Sequence, residues 1–397
     1  MKLDLAPEYE AFRADVAETL AKNAHLAPTS EDKGYKNARR IAWQKLLIEH
    51  GLAARTIPKA YGGYGGEPDI LKSRIIAEEF ARAQLSPGLG GQGISMLVPT
   101  LLEVGSEDQK RQFIGPTLRG EMLWCQGYSE PNAGSDLAAL ATKGVLEGDH
   151  WVINGQKIWT STAHLADWIF CLVRTEPDAP KHEGISFLLF DMKTPGIEIR
   201  PLVDMTGAAN FNEVFFTDVR VPAHQIVGRR GEGWKVANAI LRHERGSLAD
   251  PNVMQSRLNA LIDLMKAETL DGSRVIDNPI YRDRLMAIQG RVQALRCNDL
   301  RLLSAAVNRQ SAPLAGMVVK LQGTELRHEL EGFAIDVMGE LGLLYGDTPR
   351  LRGGGSWQRD YMYFLGLIIG GGTSQIQKNI IAERGLDMPR EPKLAKA

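Results

Sequence analysis

Trp151-Val152-Ile153-Asn154-Gly155-Gln156-Lys157-Ile158-Trp159 is the stretch that decides the fold class of this chain. Apolar and β-branched residues flank an Asn-Gly dipeptide, which tolerates the positive φ of a type I′ turn. The stretch therefore predicts a β-hairpin with Asn154-Gly155 at its tip. Working outward, residues 168–175, 185–192, 197–202 and 213–221 are further strand candidates. Turn-rich pieces such as residues 176–181 and Thr194-Pro195-Gly196 divide them. A compact β unit occupies the middle of the chain.

Helical periods lie on both sides of it. From Glu8 to about Leu123 the apolar residues recur at helical spacing, as in Ile70, Ile75, Ile76 and Phe80, or Trp43, Leu46, Leu47 and His50 ahead of Gly51. Tyr61-Gly62-Gly63-Tyr64-Gly65-Gly66 and Ser86-Pro87-Gly88 break these helices. From Gly233 onward, helices are expected over about 234–268, 279–309, 314–341 and 357–365, with a last one near 374–384. Thr373 or Ser374 can cap that last helix, Gly385 suits its end, and Pro389 follows. The expected domains are an all-α domain at 1–123, a β domain at 124–232 and a helical bundle at 233–397.

Composition narrows the class. The 397 residues are 44% hydrophobic and 24% charged, which suits a globular chain and excludes disorder. A formal net charge of −1 lacks the basic excess of a nucleic-acid reader. Residues 1–12 show no basic region followed by an apolar core, and stretches such as 168–173 are too short to span a bilayer. Cys125, Cys171 and Cys297 form no metal or redox spacing and read as reduced, buried thiols. A cytoplasmic protein without a metal site is expected.

Three motifs then carry a family resemblance. Tyr128-Ser129-Glu130-Pro131-Asn132-Ala133-Gly134-Ser135-Asp136 resembles the (T/S)-E-P-x-A-G-S-D stretch of the acyl-CoA dehydrogenase family. Asn154-Gly155-Gln156-Lys157-Ile158-Trp159-Thr160-Ser161 is similar to its N-G-x-K-x-W strand, and Gly372-Thr373-Ser374-Gln375-Ile376-Gln377 to its G-T-(S/N)-x-I-Q turn. They occur in the family's order, so the resemblance covers essentially the whole chain. It implies an α+β fold of N-terminal helical domain, central β domain and C-terminal four-helix bundle, with FAD between the last two.

By the same resemblance Gln126, Tyr128, Ser129 and Ser135 contact FAD, and Ser135 also touches the CoA moiety. Trp159 stacks near the flavin, Thr160 belongs to the same segment, and Ser161 supplies the hydroxyl residue that bonds flavin N5. Read alone, Trp159 would be an ordinary core aromatic. Gly370-Gly371-Gly372 lets backbone approach a ligand before a helix start, and the resemblance makes Gly372, Thr373 and Gln375 cofactor contacts. Gly371 would offer its N–H to the thioester carbonyl, alongside a flavin ribityl hydroxyl.

Desaturation also needs a base for the α proton. Many family members place a Glu just before the G-T dipeptide, where this chain has Gly371. A second family arrangement, seen in isovaleryl- and long-chain-type enzymes, puts Glu on the first long C-terminal helix before an Arg. Leu241-Arg242-His243-Glu244-Arg245 resembles it. Spacing agrees, since Ala237, Ile240, Leu241, Glu244 and Leu248 share one helical face. Glu244 is thus the expected base, in place of a surface Glu paired with Arg242 or Arg245, and Arg245 the contact to the CoA-bearing ligand.

The family's R-x-x-F-G…Q segment is replaced by Arg274-Val275-Ile276-Asp277-Asn278-Pro279. Its Q-x-x-G-G-x-G is only partly kept in Asp336-Val337-Met338-Gly339-Glu340-Leu341-Gly342. Similar departures mark a bacterial subgroup that includes enzymes of large or branched acyl chains, steroid side chains among them.

The resemblance implies FAD-dependent α,β-dehydrogenation of an acyl-CoA by a homotetramer, a role in fatty-acid and lipid degradation, and an electron-transferring flavoprotein as acceptor. Two other readings are compatible. One is an oxidase using O₂ on the same fold. The other is an FAD-contacting subunit of a heteromeric (heterotetrameric) dehydrogenase whose partner supplies the base.

Overall fold

A computed structural model of the chain describes residues 6–247 and 250–390, without the side chains of residues 243–247. The chain forms two compact units, one of Met1–Asp204 with Ala209–His243, the other of Met205–Ala208 with Glu244–Ala397.

The first unit begins with helices α1 (Pro7–Asn23), α2 (Ala38–Glu49) and α3 (Ile70–Ala83). Asn37 and Asp69 cap α2 and α3 by accepting backbone N–H groups of the first turn. Val16, Leu20, Trp43, Leu47, Ile76 and Phe80 bury one face of each helix in a common core. The short helices α4 (Val98–Val104), α5 (Glu107–Gln109) and α6 (Gly115–Leu118) lead to the sheet.

Eight strands follow: β1 (Trp124–Gly127), β2 (Lys143–Glu147), β3 (His150–Lys157), β4 (Trp168–Arg174), β5 (Ile185–Asp191), β6 (Ile197–Leu202), β7 (Phe211–Pro222) and β8 (Ile226–Val227). Their order is β6-β7-β3-β2-β4-β5-β8, with β1 parallel to β4. β4 and β5 are near-continuous apolar runs because both faces are covered. Phe170, Leu172, Phe187 and Leu189 enter one core, and Ile169, Cys171, Val173, Leu188 and Phe190 enter another.

The predicted hairpin at Asn154-Gly155 does not form. Both residues lie inside β3, where the register against β7 shifts between Ile153 and Gly155 as a bulge. The turn is instead Gly148-Asp149, with Gly148 at φ 63° and Glu147 paired to His150 across a two-residue loop. Asn154 is held by a reciprocal pair with Asp218. Its amide Nδ2 donates to Asp218 Oδ1 at 2.9 Å, and its Oδ1 accepts the Asp218 N–H at 2.9 Å. A Cβ on Gly155 would sit 2.5 Å from Thr142 Oγ1 and 2.7 Å from Thr142 Cα, on a backbone at φ 153°. Gly155→Ala is therefore expected to cost about 1–3 kcal/mol, read as a lower urea midpoint for the first unit.

Helix α7 (Gly233–Ser247) crosses the boundary between the units. The expected single helix over 234–268 is in fact two, because Asp250 caps a new start by accepting the Asn252 N–H and Pro251 opens α8 (Pro251–Ala267). The second unit continues with α9 (Pro279–Val307), α10 (Pro313–Met338), α11 (Ser356–Ile369) and the short α12 (Ser374–Ile380). Met254, Leu258, Leu261 and Met265 of α8 meet Leu285, Ile288 and Val292 of α9 and Leu326, Leu330, Phe333 and Val337 of α10. These recur every three or four residues, the spacing of one helical face. Inside this bundle Glu331 of α10 is fully buried against Arg257 of α8 and Arg327 of α10.

Burial of the cysteines holds for two of three. Cys125 and Cys171 are fully enclosed in the sheet, and burial pushes the Cys171 thiol up to about 12, so it stays protonated. Cys297 is exposed, because it lies off the α9 stripe of Leu285, Ile288 and Val292. No helix among the described residues is long and apolar enough to cross a membrane.

Candidate active site

The residues singled out in the sequence fall into two groups, each inside one unit. In the first unit the segment after β1 and the segment after β3 are brought together. The Ile158 N–H donates to the Ser129 carbonyl at 2.9 Å. Beneath that contact, Lys157 is fully buried and its ammonium donates to Glu130 Oε1 at 2.8 Å and to the Tyr128 carbonyl at 3.1 Å. Glu130 also accepts the N–H groups of Ala141 and Thr142. Burial works to raise the Glu130 carboxyl, but the Lys157 cation and these donors outweigh it and hold the group below the ordinary carboxylate range.

Past β3 the chain runs alongside β7. Thr160 and Thr162 donate their N–H groups to the carbonyls of Asn212 and Asn210, and the Asn212 amide returns a bond to the Thr160 carbonyl at 2.9 Å. Among the described residues the intervening N–H groups of Trp159 and Ser161 donate no hydrogen bond. Trp159 takes a left-handed φ of 59° and is 59% exposed, its ring edge-on to Phe211. Trp159 is thus no core aromatic. Thr160 is buried with its Oγ1 unpartnered, whereas Ser135 is exposed. Gln126 accepts a long 3.4 Å bond from Gln92 Nε2. An isoalloxazine ring needs an apolar surface and N–H or O–H donors for its ring heteroatoms, and Trp159, Thr160 and Ser161 offer both.

In the second unit Gly371 and Gly372 adopt φ 66° and 95° in a turn between α11 and α12. A Cβ on Gly372 would lie 2.7 Å from Gln377 Nε2, so a side chain there would displace the Gln377 bond to the Gly371 carbonyl. Thr373 caps α12 as expected, accepting the Ile376 N–H at 3.2 Å, and Gln375 is exposed. Among the described residues the N–H groups of Gly371, Gly372 and Thr373 donate no hydrogen bond.

Glu244 and Arg245 belong to α7, but their side chains lie outside the described residues, as does Leu248. Of their expected face, Ala237 and Ile240 are fully buried and Leu241 packs against the same core.

Sequence reading missed the Lys157–Glu130 pair, Asn212 and Lys320, a second fully buried lysine. The available signal for Lys157 was a lone charge at the end of a strand that carries Trp151, Val152 and Ile153.

A three-part order of helices, sheet and helix bundle, with an exposed Trp-bearing segment in the first unit and a glycine turn in the second, is the architecture of an acyl-CoA dehydrogenase. The chain belongs to the acyl-CoA dehydrogenase family: the N-terminal domain of that family matches residues 6–121, the middle domain residues 125–219 and the C-terminal domain residues 231–386. It is 40% identical over 400 residues to acyl-CoA dehydrogenase IpdE1 of Mycobacterium tuberculosis, covering 97% of this chain and 99% of that protein. Among solved structures it is similar to the ChsE4-ChsE5 complex of Mycobacterium tuberculosis, with 30% identity, a TM-score of 0.81 and coverage of 98% of this chain and 100% of that one. It is also similar to the Tcur3481-Tcur3483 steroid ACAD, with 28% identity, a TM-score of 0.81 and the same two coverages. The chain is an oxidoreductase acting on CH–CH bonds.

Proposed function

We propose that this chain is one of two unlike subunits of an FAD-dependent acyl-CoA dehydrogenase acting on a bulky, steroid-type acyl thioester, and that it contributes the catalytic base. The observation that carries the heteromeric part is Arg274. Where the family pattern sends an Arg toward a neighbouring subunit's FAD, Arg274 bonds Asp277 through Nε at 2.8 Å and Nη2 at 3.2 Å. Asp277 stands in the position of the family's Phe and pairs with Arg274, so the family's cross-subunit segment is not kept in a like copy of this chain. An unlike partner supplies them. Two similar structures, the ChsE4-ChsE5 complex and the Tcur3481-Tcur3483 steroid ACAD, carry two protein names each, which supports this reading over a homotetramer.

In the reaction Glu244 takes the pro-R α hydrogen as a proton. The Gly371 N–H hydrogen-bonds the thioester carbonyl and stabilises the negative charge that develops there. Trp159, Thr160, Ser161, Gln126, Tyr128, Ser129 and Ser135 bind the cofactor in the first unit, with Gly372, Thr373 and Gln375 in the second; Ser135 and Arg245 bind the CoA part. FAD, when bound, supplies the acceptor for the β hydride, and the electrons leave to an electron-transferring flavoprotein.

The test is purification of the chain alone and co-expressed with a second acyl-CoA dehydrogenase chain from the same source. Alone, it is expected to hold little flavin. The pair should co-purify yellow and turn over cholyl-CoA faster than octanoyl- or isovaleryl-CoA, with an acceptor protein required. A lone chain that retains one FAD per subunit and turns over overturns the two-subunit reading, and rapid reoxidation by O₂ would favour an oxidase.

A further inference from the structure

Lys320 lies on α10 and is 1% exposed. A buried ammonium is costly unless hydrogen bonds replace its water. Here it donates to two backbone carbonyls, Ile368 at 3.0 Å and Gly372 at 2.7 Å. The Ile368 carbonyl belongs to the last turn of α11, where terminal carbonyls have no partner within the helix and a cation meets the negative end of the helix dipole. The Gly372 carbonyl belongs to the glycine turn itself. One side chain therefore grips both ends of the link between α11 and α12.

The consequence is clearest peptide by peptide. Lys320 anchors the peptide plane after Ile368 and the plane after Gly372. The Gly370 N–H donates to the Gly366 carbonyl at 2.8 Å, and Gln377 Nε2 donates to the Gly371 carbonyl at 3.1 Å, which anchors two more. The remaining plane joins Gly370 to Gly371 and carries the Gly371 N–H. Among the described residues it has no hydrogen bond of its own, and anchored planes flank it on both sides. With its neighbours held, the one motion left to this plane is a concerted rotation about ψ of Gly370 and φ of Gly371, far fewer conformations than an untethered glycine turn would have.

We propose that Lys320 is a positioning residue that aims the Gly371 N–H, an inference that rests on the reading of Gly371 as the donor to the thioester carbonyl. Lys320 is 1% exposed, so it acts through the turn. It closes the turn from behind, so that glycines free to adopt many conformations are held to fewer.

Lys320→Met keeps the length and apolar stem and removes the ammonium that bonds both carbonyls. Hydrogen–deuterium exchange of the flavin-loaded complex, read by peptide, is expected to speed up roughly tenfold at residues 367–370 and 376–377, whose N–H groups are hydrogen-bonded on either side of the turn, while α8 and α9 keep their protection. With cholyl-CoA, kcat should fall by about 100-fold while KM stays within about threefold. Lys320→Gln retains one donor and gives the same readings if the Met variant does not accumulate. Unchanged exchange at 367–370 and 376–377 would overturn the proposal, and so would protection lost throughout the bundle, which would make Lys320 a core residue. Local exchange with an undiminished kcat would uphold Lys320 as the anchor of the turn and remove Gly371 from the reaction.

Discussion

Glu244→Gln is expected to bind its acyl-CoA with near wild-type affinity and to reduce its flavin at least about a thousandfold more slowly, since general-base catalysis contributes about 10²–10⁴-fold. The substitution keeps size and hydrogen-bonding capacity but removes the proton acceptor. The position left for a base is narrow. Gly371, where many family members carry Glu, has no side chain, and its φ of 66° suits glycine. On α7, Ala237 and Ile240 are fully buried, and Glu244 follows Ile240 by four residues, the spacing that puts two residues on one helical face. Anaerobic stopped-flow absorbance with cholyl-CoA measures the bleaching rate, and ligand titration of the same variant measures binding. Bleaching at the wild-type rate would show that another group takes the proton.

The second large effect is expected at the buried ion pair of the first unit. Lys157→Met leaves the Glu130 carboxylate, 8% exposed, without its counter-charge and removes the ammonium that bonds the Tyr128 carbonyl. Removing one partner of such a pair costs about 3–5 kcal/mol, whereas replacing both with apolar residues of similar volume is often neutral. Lys157→Met should therefore show a much lower denaturation midpoint, and its complex with the partner chain should lose flavin on gel filtration, because the pair joins the Tyr128 segment to the strand that leads to Trp159. Lys157→Met/Glu130→Leu should recover much of the stability.

Acid gives an independent reading of the same pair. The folded-state pKa of Glu130 is depressed, so its stabilising contribution is complete above the pKa of a free glutamate and is lost as pH falls through the folded value. In Lys157→Met the largest depressing influences are gone, and only the Ala141 and Thr142 N–H groups oppose burial, so less stability is lost as the carboxyl is protonated. The difference between wild type and variant should narrow as the solution is acidified. Parallel pH profiles of the two proteins would remove the pair from this role.

Much of the architecture could be read from local pattern. Runs such as Trp168-Ile169-Phe170-Cys171-Leu172-Val173 are strands because both their faces are buried, and α8, α9 and α10 repeat apolar residues at the spacing of one helical face. Caps were equally legible at Thr373, whose hydroxyl needs only a neighbour three residues on. Two local signals misled for identifiable reasons. Asn154-Gly155 has the composition of a hairpin tip, yet Asp218, 64 residues away, captures both polar atoms of the Asn154 amide and keeps the dipeptide in the strand. Residues 234–268 keep an almost continuous helical period, and the Asp250-Pro251 cap that divides them outweighs it.

The candidate site divides in the same way. The motifs at 128–136, 154–161 and 370–377 are contiguous in sequence, so their chemistry is legible without a structure. Their supports are not. Lys157 meets a carboxylate 27 residues before it, and Lys320 meets carbonyls 48 and 52 residues after it. An isolated lysine in a strand or helix reads as a solvated surface group, because nothing nearby in sequence shows what will surround it. The sequence by itself determined the order of helix, sheet and bundle, the flavin-type motifs and the loss of the usual base at Gly371, since each depends on residue identity or short-range spacing. Only the tertiary structure decided which glycine makes the hairpin turn, that Trp159 stands exposed, and that two lysines are interior anchors. Those outcomes depend on partners brought together by long-range packing, where the cost of burying a charge is offset by hydrogen bonds that no local pattern records.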